Sequence, residues 1–312
     1  MKTVRLGRTG LLISRIGLGT AEIGFAYGIG KRELPSETEA IDFLKQAVNL
    51  GITFFDTANY YSLAEERIGK SGILKNTKVV VETKCAQFLE KGEYLPRSEL
   101  TEKIYSQVED SLTKLQVETL PIIMLHGPSK EQIEKGELIE ILEKLKQEGK
   151  IRLTGVSTRG EEPPLTAIAS GFFDVIQVAY SILDQRMATR VLPAAKKASM
   201  GIVNRSVLLK GTLTPLRKDL PTGLELLKSQ AEKVNIIAKS IGIDLPTLAI
   251  RFAISNPNIT TTLIGTNKIE NLVQAIKAVR VGPLPKEIIT QLEKLALTDP
   301  NQIDPAKWPP LL

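Results

Sequence analysis

The chain has 312 residues, of which 42% are hydrophobic and 24% charged, a mixture that excludes a disordered or fibrous protein and suits one large α/β barrel or two ordinary domains. Its formal net charge is +6, but Lys and Arg alternate with Glu along helical patterns and no basic run carries interleaved aromatics, which argues against a nucleic-acid partner. No apolar leader follows residues 1–5, no apolar run has the length of a membrane span, and a single cysteine fits a reducing compartment. We therefore expect a cytoplasmic protein with no membrane partner.

Short apolar, β-rich runs alternate along the chain with longer helical patterns, which is typical of parallel βαβ units. A hairpin is predicted at residues 3–14. Ser36 and Glu39 form a capping-box pattern at the start of the first long helix, and Gly51 stands where a helix-ending glycine belongs. Eight further strands are predicted, at residues 16–20, 52–56, 78–84, 122–126, 152–157, 174–179, 201–205 and 261–265.

The number and spacing of these elements predict the fold. Eight strands alternating with helices over this length fit a closed (β/α)8 TIM barrel of the α/β class better than a doubly wound sheet. No G-x-G-x-x-G pattern follows the first strand, which counts against a Rossmann dinucleotide site. The N-terminal β-hairpin and extra C-terminal helices are additions to the barrel, and no linker-like segment divides residues 1–312, so we expect a single domain.

Ionisable side chains stand at the ends of three consecutive predicted strands. Asp56, Lys84 and His126 end these strands, and His126 is the one histidine of the sequence. Because functional groups of such barrels lie at the carboxyl ends of the strands, we expect these side chains to share one rim. Tyr60 and Tyr61 follow Asp56, and a neighbouring lysine should lower a tyrosine's pKa from its usual value of about 10. The set predicts a proton-transfer site at which His126 orients a substrate carbonyl.

The same stretches carry a family resemblance. Residues 51–69, GITFFDTANYYSLAEERIG, resemble the aldo-keto reductase signature around its catalytic aspartate and tyrosine. In that signature the tyrosine lies five positions after the aspartate, which selects Tyr61 rather than Tyr60. VVVETK and IIMLHGP are similar to the lysine and histidine motifs of the family, and LEKLKQEGKIRLTGVS, residues 142–157, is similar to its fifth-strand motif. The resemblance extends over nearly the whole chain.

The resemblance implies an NADP(H)-dependent oxidoreductase, with NAD(H) as an alternative cofactor, that reduces a small aldehyde or ketone by hydride transfer. It makes Tyr61 the proton donor, tuned by Lys84 and Asp56, with His126 orienting the substrate. No metal is expected. The resemblance also implies that the cofactor lies extended over the rim. Its nicotinamide end would contact Thr20 and Asp56 at the ribose and Ser157, Thr158 and Gln177 at the carboxamide. The pyrophosphate would lie near Arg205, Ser206, Leu208, Lys210 and Gly211, and the adenosine phosphate near Gly265, Thr266, Asn267, Lys268 and Asn271.

Several positions depart from the family pattern, among them Pro121, which replaces a common aspartate before the fourth strand and is interpreted as a structural change. Thr158 replaces an asparagine at the carboxamide, and Asn271 replaces an arginine at the 2′-phosphate, where Lys268 could substitute as a point charge. Arg205 replaces an aromatic residue that stacks on the nicotinamide. A guanidinium can stack, but it repels the cationic oxidised ring, so we expect a bias toward the reduced cofactor. Alternatively, Arg205 pairs with a nearby carboxylate.

Other interpretations of the sequence stay open. A purely structural role is the alternative for each of the four catalytic candidates. A Schiff-base aldolase that uses Lys84 and a nicotinamide-nucleotide sensor with little turnover are competing functions. Aromatic walls formed by Phe25, Tyr27 and Trp308 would suit sugars, aromatic aldehydes, quinones and pyridoxal alike, although Trp308 could instead hold the C-terminal tail in place. We expect a monomer or a weak homo-oligomer.

Overall fold

The computed structural model describes residues 1–30, 32–93 and 95–309, and it shows a closed barrel of eight parallel strands. Outside the barrel, β1 (Thr3–Arg5) and β2 (Leu12–Ser14) form the predicted antiparallel hairpin. The barrel strands are β3 (Ile16–Gly19), β4 (Phe54–Asp56), β5 (Val80–Cys85), β6 (Leu120–His126), β7 (Ile151–Ser157), β8 (Val175–Ala179), β9 (Gly201–Arg205) and β10 (Thr261–Gly265). They follow one another around the barrel in sequence order, and β10 closes it by pairing with both β9 and β3. The predicted fold class is confirmed.

Helices surround the barrel, and two of them stand between β9 and β10 where a minimal barrel needs one. None of the described helices is long and apolar enough to cross a membrane. Their bounds are α1 (Ala21–Gly24), α2 (Glu37–Asn49), α3 (Ala64–Ser71), α4 (Arg97–Leu115), α5 (Lys130–Glu134), α6 (Glu137–Gln147), α7 (Glu162–Ser170), α8 (Val191–Lys197), α9 (Glu225–Ser240), α10 (Leu245–Ser255), α11 (Ile269–Val281), α12 (Lys286–Glu293) and α13 (Pro300–Ile303).

Local signals in the sequence set the ends of several elements. The capping box at the start of α2 is present: the amide of Glu39 donates to Ser36 Oγ at 3.3 Å, and the amide of Ser36 donates to Glu39 Oε2 at 2.8 Å. Gly51, with a φ of 91°, turns the chain after α2 in the left-handed region that glycine adopts without strain. β4 begins two residues later than predicted because Thr53 exchanges hydrogen bonds with Ser14 of the hairpin through both side-chain hydroxyls.

Apolar side chains fill the barrel axis and close its amino-terminal end. Inside the barrel the buried cluster comprises Phe54, Val80, Ile122, Met124, Val175, Val203 and Leu263, and Leu6 and Ile13 of the hairpin region complete it from below. The guanidinium of Arg8 ties the hairpin loop to the barrel by donating to the carbonyls of Gly171 and Phe173, at 3.1 and 2.9 Å. Polar groups are therefore concentrated at the opposite, carboxyl end of the strands.

Candidate active site

A cavity of about 570 Å³ opens at the carboxyl ends of the barrel strands. The residues that end six of the eight strands line it: Gly19, Asp56, His126, Ser157, Arg205 and Gly265. The expectation that Asp56 and His126 share one rim is therefore met, and this end of the barrel is where (β/α)8 proteins carry their functional groups.

Lys84 and Asp56 form a buried ion pair beneath this cavity. The Lys84 ammonium donates to Asp56 Oδ1 and to the carbonyl of Thr57, the latter at 2.8 Å. The Lys84 side chain is only 1% exposed and does not line the cavity itself. Burial is the largest single influence on the pKa of Lys84 and lowers it, but the neighbouring acidic groups, first of all Asp56, together outweigh burial and raise that pKa, so the lysine stays charged.

The loop after β4 places Tyr61 above this pair. It continues alongside β5, where the amide of Asn59 donates to the carbonyl of Lys84 at 3.0 Å. Tyr61 lines the cavity, and Lys84 Nζ lies 5.0 Å from the centre of its ring. Tyr60, in contrast, is 59% exposed on the outer surface. The structure therefore brings Tyr61, and not Tyr60, to the ion pair.

The pKa of Tyr61 departs from the sequence expectation. Burial is the largest influence and raises the pKa of its phenol, and the positive charge of Lys84 lowers it without cancelling that rise. The predicted effect of the lysine is thus present, but the predicted net lowering was wrong. The sequence identifies the neighbouring cation, whereas the degree of burial is a property of the fold.

His126 faces Tyr61 across the cavity. The two ring centres are 6.2 Å apart and the rings are nearly perpendicular, at 82°. Burial, followed by the positive charges of Lys84 and Arg205, lowers the pKa of His126 well below its usual range. Its Nδ1 atom is buried without a hydrogen-bond partner among the described residues. The imidazole is therefore neutral near neutral pH and is free to act as a hydrogen-bonding group rather than as a cation.

A further acid that the sequence analysis did not single out lies beside Asp56. Glu82 is 0% exposed, and Gln177 Nε2 donates both to Glu82 Oε1 at 2.8 Å and to Asp56 Oδ1 at 2.7 Å. Ser157 Oγ in turn donates to Gln177 Oε1 at 3.0 Å. A usable signal was present, because Glu82 precedes Lys84 by two positions and alternate residues of a strand share one face.

The residues expected around the nicotinamide gather at the same end of the cavity. Ser157, Gln177 and Arg205 line it, while Thr20 and Thr158 lie buried just behind its wall. Thr20 Oγ1 donates to the carbonyl of Asp56 at 2.8 Å. Arg205 donates to the carbonyl of Thr158 at 2.9 Å, and no carboxylate among the described residues forms an ion pair with it. The alternative of an Arg205–carboxylate pair thus finds no support there.

The residues expected at the phosphates line the remainder of the cavity. The loop after β9 turns sharply in front of it, with positive φ at three residues other than glycine, Ser206, Leu209 and Lys210. Beyond this loop, Asn271 donates from its side-chain amide to Thr266 Oγ1 at 3.1 Å. The predicted residues that line this part of the cavity are Ser206, Leu208, Lys210, Gly211, Gly265, Thr266, Asn267, Lys268 and Asn271.

These residues fit an extended dinucleotide. The cavity runs from the catalytic candidates to α11, with cations at Lys210 and Lys268 for phosphate groups. Gly265 lines the cavity without a side chain that would occupy it. A Cβ added there would lie 3.9 Å from its nearest neighbour, Glu22 Oε1, so the space in front of this residue is open. In the described part of the chain no group of three or more His, Cys, Asp or Glu residues is placed to hold a metal ion.

Three loops meet at the mouth of the cavity through Arg159. Its guanidinium binds Glu90, from the loop after β5, and Asp304 Oδ1, from the C-terminal tail, the latter at 2.5 Å. Tyr27 lines the cavity nearby, as expected for an aromatic wall. Trp308 does not line it: its side chain is buried in the outer core and its indole donates to the carbonyl of Gln302 at 2.9 Å, so it holds the tail in place.

This barrel, with polar groups converging on one cavity at its carboxyl rim, is the architecture of a (β/α)8-barrel enzyme. The sequence model of the aldo/keto reductase family matches residues 15–297, and the chain belongs to this family of oxidoreductases. It is 28% identical to L-galactose dehydrogenase of Arabidopsis thaliana, over 97% of this chain and 96% of the relative. It is 27% identical to the NADH-specific methylglyoxal reductase of Escherichia coli, over 90% of this chain and 94% of the relative. Among solved structures, the holo form of an aldo-keto reductase from Bacillus halodurans has a TM-score of 0.78 and 27% identity, covering 95% of this chain and 97% of its own.

Proposed function

We propose that the protein reduces an aldehyde or ketone to an alcohol with NADP(H), and that Tyr61 donates the proton. The observation that carries the proposal is the convergence of Tyr61, the Lys84–Asp56 pair and His126 at one end of a cavity of about 570 Å³ that extends to α11. A bound reduced nicotinamide supplies the hydride.

The chain's own residues then have separate tasks. His126, being neutral, can hydrogen-bond the carbonyl oxygen of the substrate and fix its orientation without competing for the proton. Tyr61 delivers its phenolic proton to that oxygen as negative charge develops there. Lys84 stabilises the phenolate left behind, and its pairing with Asp56 keeps the ammonium charged within the barrel.

The cofactor assignment rests on the far end of the cavity. Lys268 lines it and offers a point charge for a 2′-phosphate, which supports NADP(H). The alternative, NAD(H), is supported by the neutral Asn271 at the expected arginine position and by the name of the NADH-specific relative. The ratio of kcat/KM with NADPH to kcat/KM with NADH decides between them.

An aldolase mechanism is poorly supported by the same geometry. A Schiff-base lysine must present a neutral amine to its substrate. Lys84 is instead buried behind the cavity wall, bound to Asp56 and the carbonyl of Thr57, with a raised pKa. Borohydride treatment with a carbonyl substrate is expected to leave no adduct on Lys84.

The test is oxidation of NADPH, followed by its absorbance, with a reactive aromatic aldehyde. Tyr61→Phe should lower kcat by about 10²-fold or more, the usual contribution of a positioned general acid. Tyr60→Phe is the matched control, since Tyr60 lies on the outer surface, and it should retain activity. Activity that survives Tyr61→Phe would move the proton donor to another residue. Cofactor binding without turnover on a panel of carbonyl compounds would instead favour a sensor.

A further inference from the structure

Glu82 lies inside the barrel next to the proposed proton-transfer residues. It shares the inward face of β5 with Val80 and Lys84, and in the strand register it stands directly beside Asp56 of β4. On its other side, β6 presents Ile122 at the paired position. Glu82 is 0% exposed, so bulk water cannot solvate the charged form of its carboxyl group.

The hydrogen bonds around Glu82 leave it without a counter-charge. Gln177 donates one side-chain N–H to Glu82 Oε1 and the other to Asp56 Oδ1. The nearby cation, Lys84, donates its hydrogen bonds to Asp56 and to the carbonyl of Thr57, and no described residue forms an ion pair with Glu82. Oε2 of Glu82 is buried with no partner among the described residues.

Glu82, Asp56 and Lys84 are buried together, and their charges balance only if one of the two carboxyl groups keeps its proton. Asp56 holds the ammonium, so the proton belongs to Glu82. Burial, and then the negative charge of Asp56, raise the pKa of Glu82 well above its usual range, in the same direction as the geometry. A neutral Glu82 can also donate a hydrogen bond from its unpartnered oxygen toward Asp56.

We propose that Glu82 is a positioning residue for the reduction proposed above: as a neutral acid it fixes Gln177 and Asp56, and loss of its proton at high pH switches the site off. The proposal rests on the proposed function for its kinetic consequence. An ionised Glu82 would add a negative charge beside Asp56 and Lys84, draw the ammonium away from Tyr61, and make the phenolate harder to form.

Glu82→Gln tests the charge state because glutamine copies the neutral acid: it can accept from Gln177 and donate to Asp56. Near neutral pH its kcat should stay within about threefold of wild type, and the alkaline limb of its kcat profile should move to higher pH. Glu82→Leu keeps the volume but removes both hydrogen bonds, and its kcat should fall about tenfold or more.

Glu65→Gln is the matched control. Glu65 of α3 is also buried, at 1% exposure, accepts a 2.5 Å hydrogen bond from Thr83 Oγ1 and has a pKa raised by burial, but it packs on the outer side of β5. The same substitution there should leave the alkaline limb in place. An unmoved limb in Glu82→Gln, or a loss of more than about tenfold near neutral pH with cofactor affinity retained, would overturn the proposal.

A second measurement separates this proposal from the proposed function. The ionisation of Tyr61 is followed in the cofactor-free protein by ultraviolet difference absorbance, with Tyr61→Phe subtracted. In Glu82→Gln it should occur at lower pH than in wild type, because the competing negative charge never forms. Absence of aldehyde turnover in wild type would reject the proposed function alone. An identical Tyr61 titration in both proteins would reject the role of Glu82.

Discussion

Replacing Lys84 with methionine would remove the ammonium and keep most of the buried stem. Because methionine fills a similar volume, no large cavity is expected, and the cost comes from the charge left on Asp56. Both partners are nearly inaccessible, with side-chain exposures of 1% for Lys84 and 6% for Asp56. Breaking a buried pair on one side costs about 3–5 kcal/mol, and the hydrogen bond from Gln177 to Asp56 keeps the value near the lower end, at about 3 kcal/mol.

The free energy of unfolding is measured from urea titrations followed by circular dichroism at several pH values. Near neutral pH, Lys84→Met should unfold at a lower urea concentration than wild type. The double variant with Asp56→Asn should recover all but about 1 kcal/mol, because neither charge is then buried alone. A deficit below about 1 kcal/mol, or a double variant no more stable than the single one, would refute this account of the pair.

Four further outcomes are expected. Wild type should bind NADPH at least about tenfold more tightly than NADP⁺ in fluorescence titrations, and Arg205→Phe should narrow that gap; equal wild-type affinities would contradict repulsion by the guanidinium. Asn271→Arg should strengthen the binding of NADPH about tenfold relative to that of NADH. An unchanged ratio of the two affinities would mean that the adenosine phosphate binds elsewhere. Burial raises the pKa of the Cys85 thiol to about 12, so the folded protein should be alkylated far more slowly than the protein in urea. For the same reason the unfolded chain releases that proton first, and stability should fall as the pH rises from about 8.5 toward 12.

The parts of the fold that local pattern dictates could be predicted from the sequence. Strand–helix alternation indicated the closed barrel, and the residues at strand ends indicated its functional rim. The start of β4 was missed because the amide and hydroxyl of Thr53 bond to Ser14 of the hairpin, a contact that no periodicity reveals. In the site, Arg159 binds Glu90 and Asp304, which lie 69 and 145 positions away. Contacts at such separations depend on how the loops close and leave no mark on the local sequence.

Glu82 illustrates a different obstacle. In the segment VVVETK, Glu82 was overlooked because Lys84 is the residue that matches the family motif. The spacing of two positions nevertheless places both side chains on one face of the strand. The charge state of Glu82 depends on having Asp56 beside it and Gln177 above it, and Gln177 lies 95 positions away. The sequence shows which titratable groups are present, and the three-dimensional neighbours determine which of them keeps a proton.

The hairpin that closes the amino-terminal end of the barrel also has a consequence for the proposed reaction. Leu6 and Ile13 plug the axis and Arg8 fastens the loop, so within the described chain the cavity opens only at the carboxyl rim. The cofactor and substrate of the proposed reaction would then enter and leave through the same opening. In the proposed reduction, a dinucleotide that fills this cavity would therefore bind before the smaller carbonyl compound and leave after the alcohol, so that passage through one opening would limit the catalytic cycle.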